Sequence, residues 1–152
     1  MNSGIKLTSL ATSTLLSAII STSAWSHGDV TPQNVDVSSL PALGEEWTDR
    51  NPYGKEDNDN FDQAVYDEAM RVGASAYNQN CARCHGLEAI SGGIAPDLRY
   101  LEAGYDGDEW YKERVINGAV RDGRVYMPKM AEYIPQEALW AIRTWVLAQP
   151  TD

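Results

Sequence analysis

Gln79-Asn80-Cys81-Ala82-Arg83-Cys84-His85-Gly86 is the stretch whose reading decides the fold. Two cysteines with two residues between them, followed at once by histidine, form the attachment motif for a c-type haem. The reason is geometric. On one short helical turn each thiol can add to one vinyl group of the macrocycle. The next residue then carries its imidazole under the iron as the proximal ligand. Three rival readings are weaker. A disulfide across so small a loop adds little stability. A thioredoxin-like redox pair expects a βαβ setting, whereas the residues before Cys81 read as a helix. A zinc site needs about four ligands, and His27 is the only other Cys or His outside the motif. Cys81 and Cys84 are therefore the expected covalent attachment points, His85 an axial iron ligand, and one haem c the expected cofactor.

Working outward, Ala64, Val65, Ala69, Val72, Ala76 and Tyr77 lie on one 3.6-period face and predict a helix over 62–79. Gly73 inside it costs about 1 kcal/mol relative to alanine and implies a close backbone approach. A second helix is expected over 108–117. Asp108 is its candidate N-cap, Trp110 and Val115 point inward with Tyr111 as a further candidate, and Gly118 ends it. A third starts near Pro135, carries Ala138, Leu139, Ile142, Trp145 and Val146 as its stripe, and stops at Pro150. No alternating strand pattern is read. The expected fold class is all-α, with three main helices sharing the apolar surface of one covalently attached haem.

The chain has 152 residues and a formal charge of −10, with pI near 4.5. One domain is expected. So acidic a chain is a poor nucleic-acid binder, because binding to phosphates relies on basic patches. Lys6 is the only charge in the first 26 residues, 7–20 are apolar but diluted by Ser and Thr, and small residues precede Ser26. That describes a signal peptide over 1–26, hence a periplasmic protein with no membrane span after cleavage. Residues 27–61, rich in Pro, Gly, Asn and Asp, keep no apolar period and read as an irregular N-terminal arm. Val30, Val35, Val37, Leu40, Leu43, Trp47 and Tyr53 are too many apolar residues for a solvated tail. The arm is expected to wrap over the domain at 62–152.

The distal ligand separates an electron carrier from a reactive haem. Met127 heads a Met-Pro step, and Pro128 stiffens that loop. It is the favoured second axial ligand, with Met130 as its competitor, Met70 better suited to the core, and His27 a further candidate. Lys112, Arg114, Arg121, Arg124 and Lys129 crowd into a short stretch whose only acids are Glu113 and Asp122. Arg121, Arg124 and Lys129 bracket Met127. They either form a local docking patch, hold the haem propionates, or are plain solvated surface.

Residues 65–148 resemble a class I c-type cytochrome. The matching pieces are Gly73 to Gly86 around the cysteine motif, Gly93-Ile94-Ala95-Pro96-Asp97-Leu98, Tyr126-Met127-Pro128 and the aromatic last helix. The resemblance implies that Gly73 and Tyr77 cross the last helix near Trp145. It also implies that Pro96 offers its carbonyl to the His85 ring and that Leu98 packs on the haem. His27 to Gln33, Gly44-Glu45-Glu46-Trp47, Asn51-Pro52-Tyr53 and Gly118 to Met130 are similar to the small periplasmic cytochrome c that accepts electrons from PQQ-dependent (quinoprotein) ethanol dehydrogenases. The implied function is one-electron transfer from such an alcohol dehydrogenase to a downstream oxidase or other cytochrome, not catalysis. A haem subunit fixed in a dehydrogenase complex and a peroxidase or gas-reactive haem are the alternatives.

Overall fold

The computed structural model describes residue 1 and residues 32–151. The expected signal peptide, its cleavage point and His27 lie outside the described residues. All that follows belongs to the compact unit Thr31–Asp152.

Helix α1, Gln63–Asn80, starts where the Asp62 side chain accepts the backbone N–H groups of Ala64 and Val65. Helix α4, Gln136–Leu147, follows Pro135. These two make the main helix pair. At their crossing a Cβ on Gly73 would run into the Ala141 carbonyl and lie 3.0 Å from the Trp145 Cβ. Glycine is thus required by the approach of the two backbones. One turn on, the rings of Tyr77 and Trp145 meet at 4.6 Å between centroids. Ala69, Val72, Ala76, Ala138, Leu139, Ile142 and Val146 are buried around this contact. The crossing implied by the family resemblance is present.

Helix α2, Ala82–His85, is a single turn continuing from α1. Helix α3 runs Gly104–Asn117, so it begins before the expected Asp108. Asp108 is not its N-cap. It is buried inside the helix, where one carboxylate oxygen meets Arg143 Nε at 2.9 Å and the other accepts the Asn51 N–H at 2.7 Å. This pairing turns positions 108, 111 and 115 inward. Trp110 falls beside that stripe, and contrary to expectation it is half exposed under the Arg114 guanidinium.

The reading that no strand occurs is also corrected. Strands β1, Ala119–Arg121, and β2, Arg124–Met127, form an antiparallel hairpin. Its turn is Asp122-Gly123, both at positive φ (50° and 73°). An Asp-Gly pair favours the tight turn that matches strand twist, even when the strands are too short to show alternation.

Residues 32–61 contain no helix or strand. They are anchored by backbone-to-side-chain bonds that substitute for a ladder. Gln33 N–H donates to Asn80 Oδ1, Leu43 N–H to Glu137 Oε1, and Gln136 Nε2 donates to the Gly44 and Glu46 carbonyls. Val35, Leu40 and Tyr53 are buried, and Trp47 sits edge-on to Trp140 at 6.1 Å.

Candidate haem-binding site

The cysteine motif sits at the end of α1. Cys81 N–H donates to the Tyr77 carbonyl at 2.8 Å, and the N–H groups of Cys84 and His85 both return to the Cys81 carbonyl at 3.1 and 2.9 Å. This turn presents two free, half-buried thiols. Burial pushes the Cys81 thiol up to about 12, with the neighbouring Cys84 thiol adding to the effect. Such surroundings suit a neutral sulphur, as in a thioether, and disfavour the thiolate that zinc or disulfide exchange requires. Among the described residues no group of three or more His, Cys, Asp and Glu is placed to hold a metal ion.

His85 Nδ1 lies 2.9 Å from the Pro96 carbonyl. A carbonyl only accepts, so Nδ1 carries the proton in this bond and Nε2 keeps its lone pair. This is the orientation and tautomer an axial imidazole needs. The structure thus brings His85 and Pro96 together across a loop. The loop is held by Asp97, which accepts from Ser91 N–H, Arg99 N–H and the Arg99 guanidinium. Ser91 Oγ in turn donates to the Ala95 carbonyl at 2.6 Å.

The Arg99 hydrogen bonds, reinforced by the backbone donors, hold the Asp97 carboxyl down at about 2. An unfolded aspartate titrates near ~3.9. The folded value is the lower one, so the stabilisation is complete above roughly pH 4 and disappears as pH falls through about 2. Acid titration of stability should therefore be flatter in this window for Asp97→Asn than for the wild type.

A residue the sequence reading used only for packing also shapes the site. The Tyr77 hydroxyl donates to the Gly86 carbonyl at 2.8 Å, next to His85. Gly86 has φ +82°, and a Cβ there would strike the Ile90 carbonyl. The only sequence signal was that a buried tyrosine needs a partner for its hydroxyl. Tyr77→Phe should cost about 1 kcal/mol in denaturant unfolding, the net worth of one such bond.

Leu98 opens the short turn Leu98–Tyr100 and is half buried against the core. Met127 ends β2 and is half buried, packed on the same core. Its backbone is seated on Gly118: a Cβ there would lie 2.5 Å from the Met127 carbonyl oxygen and 3.0 Å from the Pro128 carbonyl carbon. Met130 is buried in the core, and its carbonyl accepts from Ile134 N–H. Arg121 and Arg124 are exposed, while Lys129 pairs with Glu132 at 3.6 Å.

These residues fit a covalent haem. Two thiols and an oriented imidazole share one turn. The flanking segments 87–94 and 120–125 expose Leu87, Ile90, Ile94, Val120 and Val125, apolar surface of the kind a flat macrocycle covers.

The family model described as "Cytochrome C oxidase, cbb3-type, subunit III" matches residues 68–146. Cytochrome c550 of Pseudomonas aeruginosa is 64% identical over 133 residues, covering 88% of each chain. Quinohemoprotein alcohol dehydrogenase ADH-IIG of Pseudomonas putida is 31% identical over 84 residues, 55% of this chain and 11% of that one. Chloroplastic cytochrome c6 of Chlamydomonas reinhardtii is 32% identical over 85 residues, 55% of this chain and 56% of that one. No solved structure matches the chain. No helix among the described residues is long and apolar enough to cross a membrane.

Proposed function

The chain belongs to the cytochrome c family, and from that membership we propose how it holds its haem and what it works with. It is a monohaem electron-transfer protein, with the haem c bound covalently. In our reading Cys81 and Cys84 carry the thioether bonds, His85 and Met127 are the axial pair, and Pro96 and Leu98 belong to the pocket. The observation that carries this is the bond between His85 Nδ1 and the Pro96 carbonyl directly after the cysteine turn. It leaves Nε2 as the coordinating nitrogen and keeps the ring from turning.

Bound haem c supplies a one-electron iron couple. The protein residues restrict it to that use. With His85 and Met127 on the two axial positions, no position is open to a substrate. Held between Gly118 and Pro128, Met127 need not move when the charge changes. Its half-buried position favours it over Met130, which is committed to the core. The test is the visible spectrum of the oxidised and reduced protein. Low-spin bands with the weak far-red sulphur-to-ferric-iron band are expected. A high-spin spectrum would overturn the ligand pair.

We place the protein in the periplasm, because residues 1–26 have the composition of an export signal and covalent haem attachment belongs on the exported side. Its donor in this reading is a PQQ-dependent alcohol dehydrogenase, and its acceptor a downstream oxidase or another cytochrome. Support for the donor comes from the similarity to part of a quinohemoprotein alcohol dehydrogenase. Reduction of the ferric protein by a purified quinoprotein ethanol dehydrogenase with ethanol is the expected result, and no reduction would remove this donor. The same similarity favours a second reading, a haem subunit fixed in a dehydrogenase complex. Copurification with a dehydrogenase as one stable particle would select it over a diffusing carrier.

A further inference from the structure

The hairpin that ends in Met127 has a second face. Its register sets Val120 opposite Val125 and Arg121 opposite Arg124. Strand side chains alternate, so Val120 and Val125 share one face while Arg121 and Arg124 share the other, and the register slips by one residue at Tyr126, which bulges between Val125 and Met127. The Arg121 guanidinium lies over the Tyr126 ring at 5.8 Å, which places both on that side.

Two like charges directly opposite each other destabilise a strand pair. A two-stranded hairpin is already marginal by itself. Five cations elsewhere pair with carboxylates, Arg71 with Glu68, Arg99 with Asp97, Lys112 with Asp49, Lys129 with Glu132 and Arg143 with Asp108, while Arg50 and Arg114 donate to backbone carbonyls and Lys55 lies over the Tyr66 ring. Among the described residues no carboxylate pairs with Arg121 or Arg124. An acidic protein has thus kept two facing guanidinium groups without a carboxylate partner on an exposed tongue, Arg124 three residues before Met127.

We propose that the Arg121–Arg124–Tyr126 face of this hairpin is a docking surface for a carboxylate-rich patch on the redox-partner protein. Arginine is suited to this, since its planar fork takes carboxylates in pairs. Tyr126, under the Arg121 guanidinium, offers an aromatic anchor beside the charges. The rest of the chain is negative and repels an acidic partner, so this local patch sets the orientation of approach. The partner would then meet the strand that bears Met127. Lys129 is left out of the patch because Glu132 already neutralises it.

The inference rests on the electron-carrier function, and the test keeps the two apart. The double variant Arg121→Glu/Arg124→Glu is compared with Arg50→Glu/Lys55→Glu, which changes the net charge equally at another place. Two partners are used on the full haem-loaded protein at low salt: quinoprotein ethanol dehydrogenase reducing the ferric form, and hexacyanoferrate(III) taking one electron from the ferrous form to become hexacyanoferrate(II). The hairpin variant is expected to be slower than the control variant by roughly tenfold with both, a difference that shrinks as salt screens it. Arg121→Glu alone should keep or raise the unfolding midpoint, because it turns the like-charge pair into an opposite-charge pair, while slowing both reactions. Equal rates for the two double variants would overturn the proposal. So would a shifted spectrum or potential with unchanged salt dependence, which would put the guanidinium groups on the haem. If the dehydrogenase fails to reduce even the wild type, that donor is wrong, and the hexacyanoferrate rates alone decide the docking face.

Discussion

Met127→Ala is expected to abolish the far-red sulphur-to-ferric-iron band, open the iron to carbon monoxide in the ferrous state and lower the reduction potential. Thioether ligation favours the ferrous state, and the choice of axial ligands spans roughly 0.8 V across haem proteins. A fall of the order of a few tenths of a volt is therefore expected in a redox titration of the variant. The paired measurement is Met130→Ala. Met130 is buried in the core, so its loss leaves a cavity and should cost about 2–5 kcal/mol in unfolding while leaving the band in place. The two methionines are thus separated by opposite outcomes, one spectroscopic and one thermodynamic. Loss of the band in Met130→Ala with its retention in Met127→Ala would reverse the assignment.

Asp108→Ala should be the most damaging single change to stability. Arg143 is fully buried, with Nε 2.9 Å from Asp108, Nη2 donating to the Glu102 carbonyl and its guanidinium carbon 5.7 Å from the centroid of the Tyr111 ring. Removing the carboxylate leaves that charge without its counter-ion and frees the Asn51 N–H as well. Breaking one side of a buried pair costs about 3–5 kcal/mol. For a unit of this size that is a fall in Tm of more than roughly 10 °C, read by calorimetry of the haem-loaded protein. The double change Asp108→Leu/Arg143→Met should recover much of the loss, because it replaces the pair by apolar volume instead of stranding one partner. A double variant no more stable than the single would show that the pair is not what holds α3, α4 and the arm together.

How much of this was readable in the chain follows the range of the interaction. The cysteine turn, the apolar stripe of α1 and the proline before α4 are local patterns, and each was legible. Gly118 was read as a helix stop, but its second task, seating the Met127 backbone, needs the hairpin to be known. Asp108 has the look of a cap in its own sequence neighbourhood. The arginine that overrides that role is far along the chain, on another helix, where no local pattern points to it. Trp110 was turned outward by the same pairing. The hairpin was missed because three- and four-residue strands carry too little alternation, although Asp122-Gly123 was the available sign. Met127 and Met130 look alike in sequence, and their different burial is a property of the packed molecule.

The contact of Gly73 with Ala141 also bears on how the chain reaches its fold. Residues 74–140 lie inside the loop that this contact closes, and they include the cysteine turn, α3 and the hairpin. Closing a long flexible loop is an entropic obstacle that grows only slowly with length, by about 0.6 kcal/mol per doubling. The two halves of the native helix crossing are made far apart in synthesis, so the crossing cannot close before Ala141 has been added to the chain. A haem held by both His85 and Met127 would tie the two ends of the intervening segment together and shorten the loop that the helix crossing still has to close.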